Sequence, residues 1–276
     1  MTLREILTEG EKKLASAGVP EAKLNAWYLF AHCFSITKSM FFLRADEEIQ
    51  ENDCVHYREL LEKRSRRIPL EHLTGETEFM GLPFLVNANV LIPRQDTECL
   101  VEEVLKYCDG ADVLDLCTGS GCIGISLAKL GHCKSVTLTD ISVEALEMAK
   151  KNAENNDVKV QIVESDLFQS IQGRFDLVVS NPPYIRSGEI PKLMPEVREY
   201  EPLQALDGSE DGLSFYKSII QEISTFLTSG GRVFFEIGAE QGEAVSQLMH
   251  EAGFRNVEVK QDLAGLDRIV CGQYSK

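Results

Sequence analysis

Apolar residues near the start of the chain recur at helical spacing, the pattern that lines one face of a helix. Thr2 followed by Glu5 forms a capping box, and Ile6, Leu7, Leu14 and Ala15 make the apolar stripe behind it. Gly18 and Pro20 close this helix and open a second, along which Leu24, Trp27, Ala31 and Phe34 again fall at helical spacing. A third helix is expected from about Glu47 to Arg67, stopped before Pro69. Stripes of this kind face a core, so residues 1–75 read as a small helical domain.

The pattern then changes. Glu78 to Val86 reads as two short strands around Gly81, a hairpin within a linker over 76–92. From residue 93 to 276 strand and helix patterns alternate. Strands are expected at Asp112–Cys117, Ser135–Asp140, Lys159–Val163, Phe175–Ser180 and Arg232–Ile237. Helical stretches between them include Val143–Asn155 and Ser214–Leu227. This alternation predicts an α/β, Rossmann-like domain, a mostly parallel sheet covered on both faces. Two last strands, near Asn256–Gln261 and Arg268–Gly272, are joined by a short turn through Gly265 and are therefore antiparallel.

Composition narrows the class. The chain is 43% hydrophobic and 26% charged, the profile of a globular protein with a substantial core. Met1 to Ala15 is charged and amphipathic, unlike a signal peptide, and no apolar run of membrane-spanning length occurs. The eight cysteines are scattered, with no C-x-x-C pair. No metal site is signalled, and a reducing cytoplasm is the expected setting. The net charge of −16 argues against direct work on nucleic acid, which calls for a basic face. One local basic run, Lys63 to Arg67, reads either as a solvated helix end or as a phosphate patch.

The chemistry concentrates at two strand ends. Val113 to Leu116 leads into Cys117-Thr118-Gly119-Ser120-Gly121 and the helix Cys122–Leu130. A glycine-rich loop between strand and helix lets a ligand approach the backbone closely. The next strand ends at Asp140, 21 residues beyond Gly119, where a carboxylate can accept hydrogen bonds from both hydroxyls of a ribose. Gly119, Gly121 and Gly124 also fit G-x-G-x-x-G, so the loop alone says adenosine-containing cofactor and leaves nicotinamide open. Asp115 tips the choice, because an acid beside the loop repels a pyrophosphate and suits the cationic amino-acid end of S-adenosylmethionine.

The strand Phe175–Ser180 ends in Asn181-Pro182-Pro183-Tyr184, and ligands in such sheets bind outside the carboxyl ends of the strands. As bare turn formers these residues would make a rigid bend. Following a glycine loop and a matched acid, they suit transfer to a planar nitrogen. Such a nitrogen is a poor nucleophile because its lone pair is delocalised, and acceptors on its N–H bonds orient it. The Asn181 oxygen and the Pro182 carbonyl can be those acceptors, and Tyr184 offers a flat surface for stacking. A site of this design works by orientation and preorganised electrostatics.

These motifs closely resemble the HemK/PrmC-type glutamine N5-methyltransferases of peptide chain release factors, over nearly the whole length. The resemblance is carried by Leu91-Ile92-Pro93-Arg94-Gln95-Asp96-Thr97-Glu98, by Asp115 to Gly121, by Asp140, and by Asn181 to Ile185. Glu201-Pro202, Ala205 to Gly208, Asp211 to Leu213 and Glu236-Ile237-Gly238 complete it. The Asn-Pro-Pro-Tyr element is shared with adenine-N6 methyltransferases; the stretches 91–98 and 201–213 indicate the glutamine branch. The resemblance implies a class I methyltransferase domain that takes S-adenosyl-L-methionine and releases S-adenosyl-L-homocysteine. Cys117, Thr118, Gly119, Ser120, Gly121, Asp140, Leu167 and Asn181 would hold the cofactor. Asn181, Pro182, Pro183 and Tyr184 would hold the substrate, with Asn181, Pro182 and Tyr184 catalytic. It further implies the glutamine of a Gly-Gly-Gln motif in class 1 release factors as target, docking of that partner on the helical domain, and a monomer working without nucleic acid or membrane.

Two departures stand out. The family usually has proline at the position of Gln95 and glycine at that of Cys117; a side chain at Cys117 is tolerable if its φ is negative. Three readings compete with this one. An adenine-N6 methyltransferase calls for a basic cleft and stacking platforms, whereas 185–212 carries more acids than bases. A nicotinamide oxidoreductase has no use for the tetrapeptide, and a non-catalytic module has no reason to keep it.

Overall fold

The structure is a computed structural model that describes residues 1–274. The chain divides into two compact units: Met1–Gly75 with Met194–Tyr200, and Glu76–Leu193 with the chain from Glu201 onward.

The first unit is helical, with helices at Leu3–Ser16, Ala22–Phe34, Lys38–Arg44, Val55–Ser65, Leu70–Thr74 and Pro195–Tyr200. Its core is built on Ile6, Leu14, Leu29, Phe30, Tyr57 and Leu61. The Thr2–Glu5 capping box forms in both directions, at 3.2 and 2.8 Å. At Gly10 a Cβ atom would lie 2.0 Å from the Tyr57 hydroxyl, so only glycine lets that phenol reach the Ala26 carbonyl.

Three expectations need correction here. Ala15 is exposed, and the first helix buries Leu3 and Gly10 beside Ile6, Leu7 and Leu14. The second helix turns Ala26, Leu29 and Phe30 inward, while Leu24 is exposed and Trp27, Ala31 and Phe34 are half-buried. That helix is apolar around most of its circumference, so spacing cannot choose its inner face. The third expected helix begins only at Val55, after a 3-10 turn at Glu51–Cys54, because 46–53 offers almost no apolar face. A further helix, at Lys38–Arg44 and capped by Thr37, has no clear signal in the apolar pattern.

The basic run is divided: Lys63 and Arg66 are exposed at the helix end, as a solvated end would be, while Arg64 and Arg67 turn inward. The buried Arg64 donates to Asn25 Oδ1 and Glu196, and Arg67 grips both oxygens of Glu196. These inward cations tie the Pro195–Tyr200 helix to the rest of this unit.

In the second unit, β1 (Glu76–Phe79) and β2 (Leu82–Leu85) form the hairpin. It is packed into the unit: Phe79 and Phe84 join one core cluster, and Asn152 bonds both the N–H and the C=O of Leu85. The main sheet has seven strands: β3 (Asp112–Leu116), β4 (Ser135–Asp140), β5 (Gln161–Glu164), β6 (Phe175–Ser180), β7 (Leu227–Glu236), β8 (Phe254–Gln261) and β9 (Asp267–Tyr274). Their order is β5-β4-β3-β6-β7-β9-β8, parallel from β5 to β7 and antiparallel over the last two pairings.

The expected alternation therefore yields the expected sheet. β7 starts five residues earlier than the expected Arg232, and the Ser214 helix ends at Glu222 before a short 3-10 turn. Consecutive residues of the inner strands point to opposite faces, and both faces are covered. Val113, Leu177 and Phe234 pack with the Gln95–Leu105 and Cys122–Leu130 helices, whereas Leu114, Val178, Val233 and Phe235 pack with the Ser214–Glu222 and Gly242–Glu251 helices.

The chain moves outward from β3 to β4 and β5, then returns to β6 on the other side of β3. Strand order reverses between β3 and β6, and a crevice opens at such a switch point, outside the carboxyl ends of the strands.

Candidate active site

Residues 117–121 follow β3 and residues 181–184 follow β6, so the switch point brings the two motifs together. One cavity is lined by Cys117, Thr118, Gly119, Ser120, Asp140, Leu167, Asn181 and Pro183, together with Thr97 and Phe215. Gly121, Pro182 and Tyr184 are not among its lining residues. Gly121 acts through its backbone: at φ +83 it starts the Cys122–Leu130 helix, and a Cβ there would strike Ile125. Gly124 lets that helix lie on the sheet, since a Cβ would come within 2.1 Å of Leu138.

The loop is shaped by two carboxylates. Asp140 accepts from Gly119 N–H at 2.9 Å and from Ser142 N–H at 3.0 Å, one on each oxygen. Its carboxylate retains lone pairs for two further donors. Burial raises its pKa, while the Ser142 and Gly119 amides pull it down. Asp115 does something other than face a ligand. It is fully buried, and one of its oxygens takes the Thr118 hydroxyl at 2.6 Å and Gly124 N–H at 2.9 Å. Burial pushes its carboxyl up to about 7. The expectation that its charge selects a cationic ligand is therefore corrected: Asp115 lies under the loop and fastens it to the helix.

Cys117 also departs from expectation. Its φ is +58°, in the left-handed region that favours glycine, so the condition of a negative φ fails. The loop keeps the backbone shape of a glycine with a cysteine in place, at a cost of about 1–2 kcal/mol. Leu167, with φ +47°, is held in the same region, its carbonyl tied by the Ser165 hydroxyl at 2.7 Å. Gln95, by contrast, is the first residue of its helix, where proline is favoured and no interior hydrogen bond is lost. Gln95 leaves the turn intact.

The tetrapeptide is held by residues that sequence reasoning did not single out as site residues. Asn181 Nδ2 lies 3.5 Å from the hydroxyl of the buried Thr97. The Tyr184 hydroxyl donates to Glu236 Oε1 at 3.3 Å, and Gln241 Nε2 donates to the Tyr184 carbonyl and to that of Gly212. Tyr184 thus packs toward the sheet, which corrects the expectation of a stacking surface in the cavity. Burial raises the pKa of Glu236; a hydrogen bond from Thr97, the charge of Arg268 and the Tyr184 hydroxyl act the other way.

The remaining motifs explain themselves structurally. Arg94 bonds both oxygens of Glu201 at 2.6 and 2.7 Å, joining 91–98 to 201–213. Gly208 and Gly212 let the chain pass against Tyr184, where a Cβ would come within 2.7 and 2.5 Å of its backbone. The signals for Thr97 and Glu236 were present, inside two of the motif stretches, without anything local to say what they touch.

Among the described residues, no acidic, histidine and cysteine groups that could hold a metal ion occur, all eight cysteines are free, and no helix is long and apolar enough to cross a membrane.

Comparison with known proteins agrees with this layout. Residues 94–195 match the family model of the methyltransferase small domain, and residues 5–75 match that of the PrmC N-terminal domain. A Geobacter sulfurreducens protein named release factor glutamine methyltransferase is 39% identical over 275 residues, covering 99% of this chain and 96% of its own length. A Clostridium acetobutylicum protein of the same name is 42% identical over 247 residues, 86% of this chain and 87% of its own. A methyltransferase from Pyrococcus furiosus, at 17% identity, superposes with a TM-score of 0.58 over 78% of this chain and 99% of its own, which speaks to the fold alone.

Proposed function

The chain belongs to the release factor glutamine methyltransferase family, and from that premise we propose that it transfers a methyl group from S-adenosyl-L-methionine to the side-chain amide nitrogen of the glutamine in the Gly-Gly-Gln motif of class 1 peptide chain release factors. The carrying observation is a cavity lined by both Asp140 with its glycine loop and Asn181 of the tetrapeptide.

The residues suit the cofactor. Asp140 has lone pairs to spare for ribose hydroxyls, Gly119 has no atom within 4 Å of where a Cβ would stand, and Cys117, Thr118, Ser120 and Leu167 wall the cavity. When bound, S-adenosylmethionine supplies an electrophilic methyl group. The protein's part is to make a poor nucleophile presentable. Asn181 Oδ1, at the cavity wall, and the carbonyl of the adjoining Pro182, which is not itself among the lining residues, accept the two N–H bonds of the target amide, which fixes its nitrogen toward the methyl donor and stabilises the positive charge developing there; as the C–S bond breaks, S-adenosylhomocysteine is left behind and one N–H proton is lost to water. Pro182 has no N–H of its own to compete. Tyr184, tethered to Glu236, braces the tetrapeptide from behind. The helical unit built on residues 1–75 docks the body of the release factor, and the enzyme works in the cytoplasm as a monomer.

The test is incubation with isotopically labelled S-adenosylmethionine and release factor, followed by mass spectrometry of the modified residue. One methyl group on the Gly-Gly-Gln glutamine is expected, and none on a release factor carrying glutamate there. Methylation of an adenine-bearing oligonucleotide but not of the release factor would overturn the reading.

A further inference from the structure

The proposed mechanism needs Asn181 to present its oxygen, not its amide group, to the substrate. An asparagine side chain is nearly symmetric in shape, and a half-turn about its last bond exchanges acceptor for donor. With the amide group forward, two donors would face the two N–H bonds of the target and the site would repel it. Something must decide which way round this amide sits.

Thr97 cannot decide alone. A hydroxyl both donates and accepts, so it could take a proton from Asn181 Nδ2 or give one to Asn181 Oδ1. Its other neighbour breaks the tie. Glu236 leaves the end of β7 fully enclosed, 2% exposed, with the Tyr184 hydroxyl donating to Oε1 and the cation of Arg268 acting on it. Its second oxygen, Oε2, is buried without a hydrogen-bond partner of its own, and the Thr97 hydroxyl is the strongest of the neighbours that favour the charged carboxyl. Burial works against the charge of this carboxyl, and the Thr97 hydroxyl, the Arg268 cation and the Tyr184 hydroxyl work for it; as a carboxylate it only accepts. Once the Thr97 proton points at Glu236, the hydroxyl oxygen is left as an acceptor. Asn181 Nδ2, 3.5 Å away, must then supply the donor. The polarity runs in one direction, from Asn181 Nδ2 to Thr97 Oγ1 and from the Thr97 hydroxyl to Glu236. The Asn181 oxygen is the arm left for a ligand.

We infer that Glu236, acting through the Thr97 hydroxyl, is the positioning group that holds the Asn181 amide with its oxygen toward the substrate. The inference rests on the methyl-transfer reading above. It gives the Glu236-Ile237-Gly238 and 91–98 stretches a common role. They reach the tetrapeptide from either side of it in sequence and set the direction of a short row of dipoles. Hydrogen bonds in such a row polarise one another, so the charge of Glu236 also makes Asn181 Oδ1 a better acceptor.

Two substitutions at Thr97 test it. Thr97→Val keeps the shape and removes the hydroxyl; Thr97→Ser keeps the hydroxyl. With release factor as substrate, the valine variant should lose about 10- to 100-fold in kcat, the size of effect of losing a partner that orients a reacting group without touching the substrate, with KM for both substrates within about threefold of wild type. The serine variant should stay within about threefold in all three. A valine variant with wild-type kcat would overturn the inference, as would one whose loss lies in cofactor affinity instead.

A second readout needs no turnover. With asparagine labelled with nitrogen-15, the Asn181 side-chain amide signal, assigned by its absence in Asn181→Asp, should shift and broaden in the valine variant and hold in the serine variant. An unchanged signal in Thr97→Val overturns the positioning role. If wild-type enzyme fails to methylate release factor, the substrate reading falls, and the amide signal still decides whether Thr97 orients Asn181.

Discussion

The two sides of the cavity are built differently. On the glycine-loop side the contacts span at most 21 residues, and three of the four are a carboxylate accepting from a backbone N–H: Asp140 holds Gly119 and Ser142, and Asp115 holds the Thr118 hydroxyl and Gly124 N–H, nine residues on. On the tetrapeptide side they are long-range and made by side chains. Asn181 rests on Thr97, 84 residues earlier, and Tyr184 on Glu236, 52 residues later. A cofactor that presents hydroxyls and a nucleoside to a loop can be gripped by backbone geometry, which a short motif encodes. Orienting one amide against its own near-symmetry takes a fixed chain of partners, which only the assembled sheet can bring together.

The comparison can be broken most sharply at Asn181. If the tetrapeptide side orients and the loop side binds, Asn181→Ala should cost about 100-fold or more in rate at saturating S-adenosylmethionine, with the fold unchanged by circular dichroism. A full-rate variant would leave the tetrapeptide without its role. The loop side should respond the other way. Asp140→Ala removes the acceptor for two backbone amides and for the ribose, and cofactor affinity by calorimetry should fall by about 1–3 kcal/mol. Unchanged affinity would remove Asp140 from the site. The smallest effect belongs to Cys117, the strained corner of the loop. Cys117→Gly relieves a left-handed cysteine but adds freedom to the unfolded chain, and chemical denaturation should show a net gain of about 0.5 kcal/mol. A loss of stability would mean that burial of the thiol outweighs the backbone strain.

Where pattern and fold agree, the physical reason is local. The bounds of β4, β6, the Cys122–Leu130 helix and the Val143–Asn155 helix were all legible, because each is an apolar run or stripe closed by residues that cannot continue it. The loop glycines were legible because few other residues tolerate their backbone angles. The capping box at Thr2 was legible because both of its partners lie within one turn.

Where they part, a residue's role depends on neighbours remote in sequence. The inner face of the Ala22–Phe34 helix was chosen by the helices packed against it, since apolar residues occur on nearly every side. Asp115 reads as a charge beside a ligand until the fold buries it beneath the loop, where its pKa rises to about 7. Cys117 reads as an ordinary strand end until the loop bends it to a positive φ. Arg64 and Arg67 read as a free basic run until Glu196 arrives from more than a hundred residues away. The amino-acid sequence by itself determined the strands, the glycine turn and the tetrapeptide, because sterics and hydrogen-bonding capacity act within a few residues. Only the tertiary structure decided which oxygen of which side chain faces the cavity, because a hydrogen bond takes its direction from its partner, and here the partners come from β7 and from the helix that begins at Gln95.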